Sequence, residues 1–414
     1  MTQVRWDRAR YVVVALVCAG TIANYLARNS LAVLAPRLQQ ELPLSTQQYS
    51  YIVASFQLAY TVMQPVCGYL LDRIGLRIGF ALFAALWSLT NMLHALAGGL
   101  VSFMILRAIL GLTEAAAIPA GVKAVSEWFP QRERSVAIGY LNAGTSVGAM
   151  LAPPLVIGLT AVAGWPTAFV TTGGIGLLWA ALWWRVYKSP PSKIPAAAAP
   201  RPSLRRIIAR RAFWGIAIAR FLAEPAWQTF SFFIPLYLAT ERHLQLREIA
   251  LFAWLPFLAA DLGGILGGYL SPFLVRRLRL SLVNSRIAGV WVGALFMLGP
   301  GLIGLVRSAP SAIALLCLGA FGHQMISSLL NVLGTDVFSH HELATANGLT
   351  GTASWTGGLG FSLLVGALAG TLGYAPLFAC LSLFDVLGAV VVFVLVRDAS
   401  SATAEDLPQR SKEL

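Results

Sequence analysis

The chain has 414 residues, of which 57% are hydrophobic and only 11% charged, with a mean hydropathy of +0.71 and a formal net charge of +13. A soluble domain carries about 25% charged residues, so these values exclude an ordinary soluble fold and describe a chain built for lipid. The length accommodates about twelve spans of roughly 20 residues with short connectors, and little else.

The positive charge does not indicate nucleic acid, because it sits in loops. Arg37, Arg242, Arg247 and Arg307 fall in loops of one side, and Arg28, Arg107, Lys123 and Arg220 fall within spans. The rest of the 30 Lys and Arg lie in the N-terminus and the loops of the other side. Such an excess marks the cytoplasmic side, which places both termini in the cytoplasm. Cys18, Cys67, Cys317 and Cys380 stand alone in apolar runs and read as small core residues, not as disulfides or metal ligands.

The first span is expected at about Tyr11 to Leu34. Its outer half carries Asn24, Tyr25, Arg28 and Asn29, spaced to share a helical face. Arg28 either snorkels to the outer interface or faces a polar interior. The second span, about Tyr49 to Leu71, repeats polar residues at Tyr51, Gln57, Tyr60 and Gln64, the last two one turn apart. Gly68, Asp72, Arg73, Gly75 and Arg77 follow in a short basic turn. That turn is similar to the G-x-L-x-D-R-x-G-R-R signature of the major facilitator superfamily, which implies a role in gating and assembly. Its glycines suit close helix approach, and Asp72 is placed to cap and pair across the loop.

Spans three and four are expected at about Ile78 to Ala97 and Leu100 to Val122. In the fourth, Arg107, Gly111 and Glu114 lie at i, i+4 and i+7 on one face. A charge at mid-membrane costs on the order of 3 kcal/mol, so this face is expected against a polar cavity, with Gly111 leaving room for a helix or a ligand. The fifth span, about Val136 to Leu159, offers Gly139, Gly144 and Gly148 for tight packing and Asn142, Thr145 and Ser146 for a cavity wall. Its Pro153-Pro154 pair is expected to bend or end the helix. The sixth runs from about Thr167 to Tyr187.

Residues 188–211, rich in Pro, Ala and Arg, form the one long linker, a basic cytoplasmic segment between bundles at 1–187 and 212–397, with a cytoplasmic tail at 398–414. Second-half spans are expected at about 212–239, 248–275, 285–306, 310–337, 343–369 and 374–396. Gly268-Tyr269-Leu270, followed by Arg276, Arg277 and Arg279, echoes the Gly68-Tyr69-Leu70 turn, as an internal repeat would. In the seventh span Arg220, Glu224 and Gln228 recur every four residues beside Trp227, and Pro225 is expected to break the helix. An Arg220–Glu224 ion pair is one reading; a polar wall is the other. Asp261, His323, Gln324, Asn331, Trp355 and Asp385 are further polar or aromatic groups within spans, and His323 alone reads as a satisfied buried histidine.

Together TIANYLARNSLAVLAP, STQQYSYI, AYTVMQPVCGYLLDRIG, RAILGLTEAAAIPAG, SEWFPQRERSVAIGY, RFLAEPAW, EIALFAWLPFLAADLGGILGGYL and ATANGLTG resemble the anion:cation symporters of the major facilitator superfamily, most closely bacterial hexuronate transporters. The resemblance implies an all-α membrane protein of twelve transmembrane helices in two pseudo-symmetric six-helix bundles, lodged in the bacterial inner membrane. It implies no enzyme but a proton-coupled importer of galacturonate and glucuronate. Another sugar acid, such as galactonate or glucarate, and a proton-coupled drug antiporter are the alternatives. The fifth span lacks the G-x-x-x-G-P-x-x-G-G pattern of the antiporters.

By match to family positions, Arg28 and Tyr60 hold substrate, Thr145 faces it, and Arg107 and Glu114 form a charged pair whose glutamate carries the proton. Related sugar-acid carriers have an aspartate where this chain has Ala27, so a two-carboxylate relay is not implied. The expected site therefore has Arg28 gripping a carboxylate through its planar fork. Tyr60 and Gln64 stand nearby, and hydroxyls meet Asn142, Thr145, Trp227, Gln228 and Trp355. Glu114 and Arg107 would couple protons, since burial favours the neutral acid and a guanidinium the ionised one; Glu224 or Asp261 would be a second proton site. The expected partners are a small anionic sugar acid, protons and the bilayer, with no cofactor or metal, acting as a monomer.

Overall fold

A computed structural model describes residues 3–129, 134–189, 204–338 and 342–396, and among them every regular element is a helix. The tail at 398–414 and most of the 188–211 linker lie outside the described residues. The first half contains α1 (Gln3–Glu41), α2 (Thr46–Ile74), α3 (Leu76–Leu93), α4 (Leu100–Glu114), α5 (Ala117–Trp128), α6 (Arg134–Ala163) and α7 (Trp165–Val186). After the short α8 (Leu204–Ile208), the second half contains α9 (Arg211–Thr240), α10 (Leu246–Phe252), α11 (Leu255–Leu278), α12 (Leu282–Phe296), α13 (Leu298–Gly301), α14 (Ala309–Val337), α15 (Leu343–Leu372) and α16 (Ala375–Val396).

Ten helical rods are long and apolar enough to cross a membrane, with α4–α5 and α10–α11 each making one rod. Helices α2 and α9 equal them in length, with 29 and 30 residues. Gln57 and Gln64 in α2, and Arg220, Glu224 and Gln228 in α9, dilute their apolarity. The fourth span is not the single helix expected. It breaks after Glu114, because Pro119 has no N–H to give and is tolerated in the first turn of a new helix. Pro256 opens α11 in the same way.

Conversely, α9 runs unbroken through Pro225, correcting the expected break. The carbonyl freed at Phe221 lies against Gly357 of α15, where a methyl group would overlap it, so the exposed dipole faces protein instead of lipid. Helix α6 likewise continues through Pro153 and Pro154. Of its three glycines, Gly144 and Gly148 lie directly on the α1 carbonyls of Cys18 and Ile22, bringing two backbones together as small residues do between membrane helices. Gly139 meets nothing within 4 Å and instead borders the central cavity.

The α3–α7 seam is aromatic. Trp183 stacks on Tyr187 at 4.4 Å between centroids, and Phe80 meets Trp179 and Trp183 edge-on, each at 4.9 Å. Equivalent features recur in the two halves. The acid ending α1, Glu41, accepts from Trp165 Nε1 at the start of α7 (2.7 Å), and the acid after α9, Glu241, accepts from the Tyr374 amide at the start of α16 (2.6 Å). Ser45 and Gln245 begin capping boxes one loop later in each half. Positive φ angles at Gly75 (88°) and Arg279 (51°) end α2 and α11.

In the basic turn, Gly75 supplies this left-handed geometry. Gly68 has nothing within 4 Å, so it does not serve the close approach expected of it. Arg77 donates to the Trp184 carbonyl (2.9 Å) and Lys123 to the Leu71 carbonyl (3.1 Å), placing positive charge at the C-terminal ends of α7 and α2. Arg73 reaches Tyr69 at 3.5 Å on the surface. The side chain of Asp72 lies outside the described residues.

The halves meet at the end that carries Glu41 and Arg242. Tyr49 donates to the Phe232 carbonyl (2.8 Å), Gln57 to Ser362 (3.0 Å) and Gln228 (3.2 Å), and the Ser50 hydroxyl nests against Gly366. A side chain at Gly366 would wedge α2 from α15. Gly366→Val is expected to lower the unfolding temperature in detergent, at an overpacking cost of about 1–3 kcal/mol. Gly360→Val, on the same helix with nothing within 4 Å, is expected to leave that temperature unchanged.

Candidate functional site

Between the halves lies a cavity of about 570 Å³. It begins beneath the closed end and extends to Gly139 near the start of α6 and Asn331 near the end of α14, which places its mouth at the end carrying Arg73.

Arg28 forms the centre of the first-half wall. It is 6% exposed, and its Nε donates to Glu114 Oε2 at 2.8 Å. Nη2 reaches Asn24 Oδ1 at 3.5 Å, and the guanidinium carbon stands 4.6, 5.2 and 5.0 Å from the ring centres of Tyr25, Phe56 and Tyr60. This aromatic cage holds a cation by its ring faces. Snorkelling to the interface is therefore ruled out for this side chain.

Glu114 is fully buried and lies behind Arg28, not on the cavity wall. Its partner differs from the expectation: Arg107 makes no ion pair with it. Seven residues along a helix separate two groups by about 10 Å, whereas α1 brings Arg28 directly across. Arg107 instead donates from Nη1 to the Arg28 carbonyl at 3.2 Å and lies 5.9 Å from the Phe56 ring centre. Among the described residues its Nε and Nη2 have no hydrogen-bond partner, nor has Glu114 Oε1. Gly111 serves helix packing, not a ligand, because a methyl group there would overlap the Phe56 carbonyl of α2.

The other expected binding residues all border the cavity: Tyr60 and Gln64 from α2, Asn142 and Thr145 from α6, Trp227 and Gln228 from α9, and Trp355 from α15. Tyr60 and Trp355 stack across the halves at 4.5 Å and 25°, and both border the cavity. Thr145 turns its hydroxyl proton to the Asn142 carbonyl (2.6 Å), leaving oxygen lone pairs as its offer to a ligand.

In α9 the Arg220–Glu224 ion pair is not formed. Arg220 donates to Thr350 Oγ1 at 3.1 Å, while Glu224 accepts from Gln228 (2.8 Å) and Ser354 (2.6 Å) and borders the cavity. Asp261 borders it too and accepts from the Ser146 hydroxyl of α6, a bond that joins the halves.

His323 is not the satisfied core residue expected. It borders the cavity, its ring lies nearly parallel to Trp227 with centroids 6.1 Å apart, and its Nδ1 has no partner among the described residues. Sequence reasoning missed Ser231, Ser327 and Ser328, which complete the polar second-half wall. The four-residue steps from His323 to Ser327 and Asn331 were the available signal, one helical face carrying polar groups.

The family model described as Major Facilitator Superfamily matches residues 17–362. The chain is 47% identical over 407 residues to the hexuronate transporter of Escherichia coli strain K12, covering 94% of each protein. It is 47% identical over 323 residues to the galacturonate transporter of Dickeya chrysanthemi, covering 74% of this chain and 94% of that one. Among solved structures, it is similar in fold to a bacterial homolog of the human lysosomal transporter Spinster, captured inward-facing and unoccupied. That match has a TM-score of 0.77 at 18% identity, covering 98% of this chain and 99% of the other.

Removing one member of a buried pair leaves the other charged and unpaired. Glu114→Ala is expected to destabilise the protein by about 3–5 kcal/mol, measured as a fall in unfolding temperature in detergent. The Arg37–Glu41 pair is an internal comparison, with side chains 45% and 37% exposed. Arg37→Ala is expected to cost under about 1 kcal/mol.

Proposed function

The chain belongs to the Major Facilitator Superfamily, and from that premise we propose that it carries hexuronates, galacturonate and glucuronate among them, across a membrane by alternating access. It is a transporter and not an enzyme. The observation that carries the reading is the 47% identity, over 94% of each protein, to a hexuronate transporter. The geometry supports it independently. A buried guanidinium borders a polar cavity between two helical bundles, and a carboxylate is the group whose two oxygens match that fork.

In the mechanism, the substrate carboxylate approaches Arg28 from the cavity while Glu114 holds the same guanidinium from behind. Two acids compete for one cation. Protonation of Glu114 removes its claim and frees Arg28 for the substrate, so proton and sugar acid load together. Arg107, anchored to the Arg28 carbonyl, keeps a second positive charge on the same helix face as Glu114, without touching it, and favours its ionised form when the proton leaves. Tyr60, Gln64, Asn142, Thr145, Trp227, Gln228 and Trp355 meet the ring and its hydroxyls. Glu224 or Asp261 supplies a second proton site.

Two bundles, residues 1–187 and 212–397, rock about the closed end, with the Gly68–Arg77 turn as a gating contact between α2, α5 and α7. Counting α2 and α9 makes twelve spans. The excess of basic residues in the loops at the mouth supports a cytoplasmic orientation for it; on this reading the state is inward-open, both termini are cytoplasmic, and the carrier acts as a monomer in the bacterial inner membrane.

Two measurements in proteoliposomes test this. Arg28→Ala is expected to weaken uronate binding by about 2 kcal/mol or more, over tenfold in affinity; unchanged saturable binding refutes the carboxylate grip. Glu114→Gln is expected to retain uronate exchange down its own gradient but to lose accumulation driven by a pH step. Accumulation that survives the substitution refutes the coupling role.

A further inference from the structure

The inference drawn here rests on the hexuronate reading. The cavity is electrically lopsided: among its described lining residues Arg28 is the one lysine or arginine, and it stands on the first-half wall. The two lining carboxyl groups, Glu224 and Asp261, stand on the second-half wall. Glu224 is held by Gln228 Nε2 at one oxygen and by Ser354 Oγ at the other, and no cation is among these partners. Asp261 accepts from Ser146. Helix α15 ties the poles together: Ser354 bonds Glu224, while the adjacent Trp355 stacks on Tyr60, whose ring lies against the Arg28 guanidinium.

A sugar acid whose carboxylate sits at Arg28 therefore directs its far end toward oxygens that accept hydrogen bonds and repel negative charge. Hydroxyl groups satisfy such a wall by donating. A second carboxylate has no proton to give and finds no second lysine or arginine among the described lining residues. Like charges brought together in a partly dehydrated site cost several kcal/mol. We propose that the cavity selects sugar acids bearing a single carboxylate and rejects aldarates, which carry one at each end, through the negative second-half wall formed by Glu224 and Asp261.

The test uses the full chain in proteoliposomes loaded with galacturonate, with exchange of labelled galacturonate as the readout and galactonate and galactarate as external competitors. These two competitors share an open carbon chain and differ in whether the far end is a hydroxymethyl group or a carboxylate. Galactarate is expected to compete at least about tenfold more weakly than galactonate. The gap is expected to shrink by about threefold or more in Glu224→Gln or Asp261→Asn. Equal competition in the wild type overturns the proposal, as does a gap that fails to narrow in both variants, including the case where neither acid competes. If a variant no longer exchanges, quenching of tryptophan fluorescence during titration with each acid applies the same criterion, since Trp227 and Trp355 border the cavity. Failure of the wild type to exchange galacturonate at all refutes the hexuronate reading instead.

Discussion

The cation at Arg28 and the acid at Glu114 meet with side chains only 7% and 0% exposed, the first at the edge of the cavity and the second behind it, and the first-half wall is arranged around that contact. Dehydrating two charges is expensive, and their mutual attraction offsets the cost only when the geometry is good and the remaining polar atoms find partners. Here the offset comes from three helices. Helix α1 supplies Arg28 and Tyr25, α2 supplies the ring faces of Phe56 and Tyr60, and α4 supplies Glu114 at its last residue.

The pair is not fully satisfied. One Glu114 oxygen and two Arg107 nitrogens are buried with no partner among the described residues. In a low-dielectric interior such atoms raise the energy of the arrangement that contains them, so a competing arrangement needs only a modest gain to replace it. That is the condition a carrier requires. A site that bound its internal counter-ion with every lone pair engaged would have no reason to release it for a substrate.

The second half contributes differently. Its two cavity-lining acids are not paired with cations but held by neutral donors, Gln228 and Ser354 for Glu224 and Ser146 for Asp261. The Ser146–Asp261 bond and the Tyr60–Trp355 stack both cross from one half to the other at the cavity, so groups that border it are also groups that join the two halves. In the proposed mechanism, occupying the cavity perturbs the contacts that set how the halves stand, which would link binding to their rocking without any long-range relay.

Much of this was legible in the order of residues. Composition and the periodic spacing of apolar stretches determined a bilayer-spanning helical protein, because lipid leaves no other way to satisfy a backbone. Polar residues inside spans marked the protein interior, since Tyr60, Gln64, Asn142, Thr145, Trp227, Gln228 and Trp355 would be penalised against lipid, and all of them line the cavity. What spacing within one helix could not reveal was partnership. Arg107 and Glu114 share a face of one segment, yet the acid pairs with Arg28, 86 residues away in sequence. Arg220 and Glu224, one turn apart, turn to Thr350 and Ser354 on another helix. Pro225 stays inside a continuous helix because Gly357 covers the carbonyl it frees. Each outcome depends on which neighbour another helix delivers within about 3 Å, and hydrogen bonds and ion pairs fall off too steeply for a one-dimensional pattern to choose among candidates. The sequence by itself determined which residues must avoid lipid; the packing of helices from distant parts of the chain decided which of them meet.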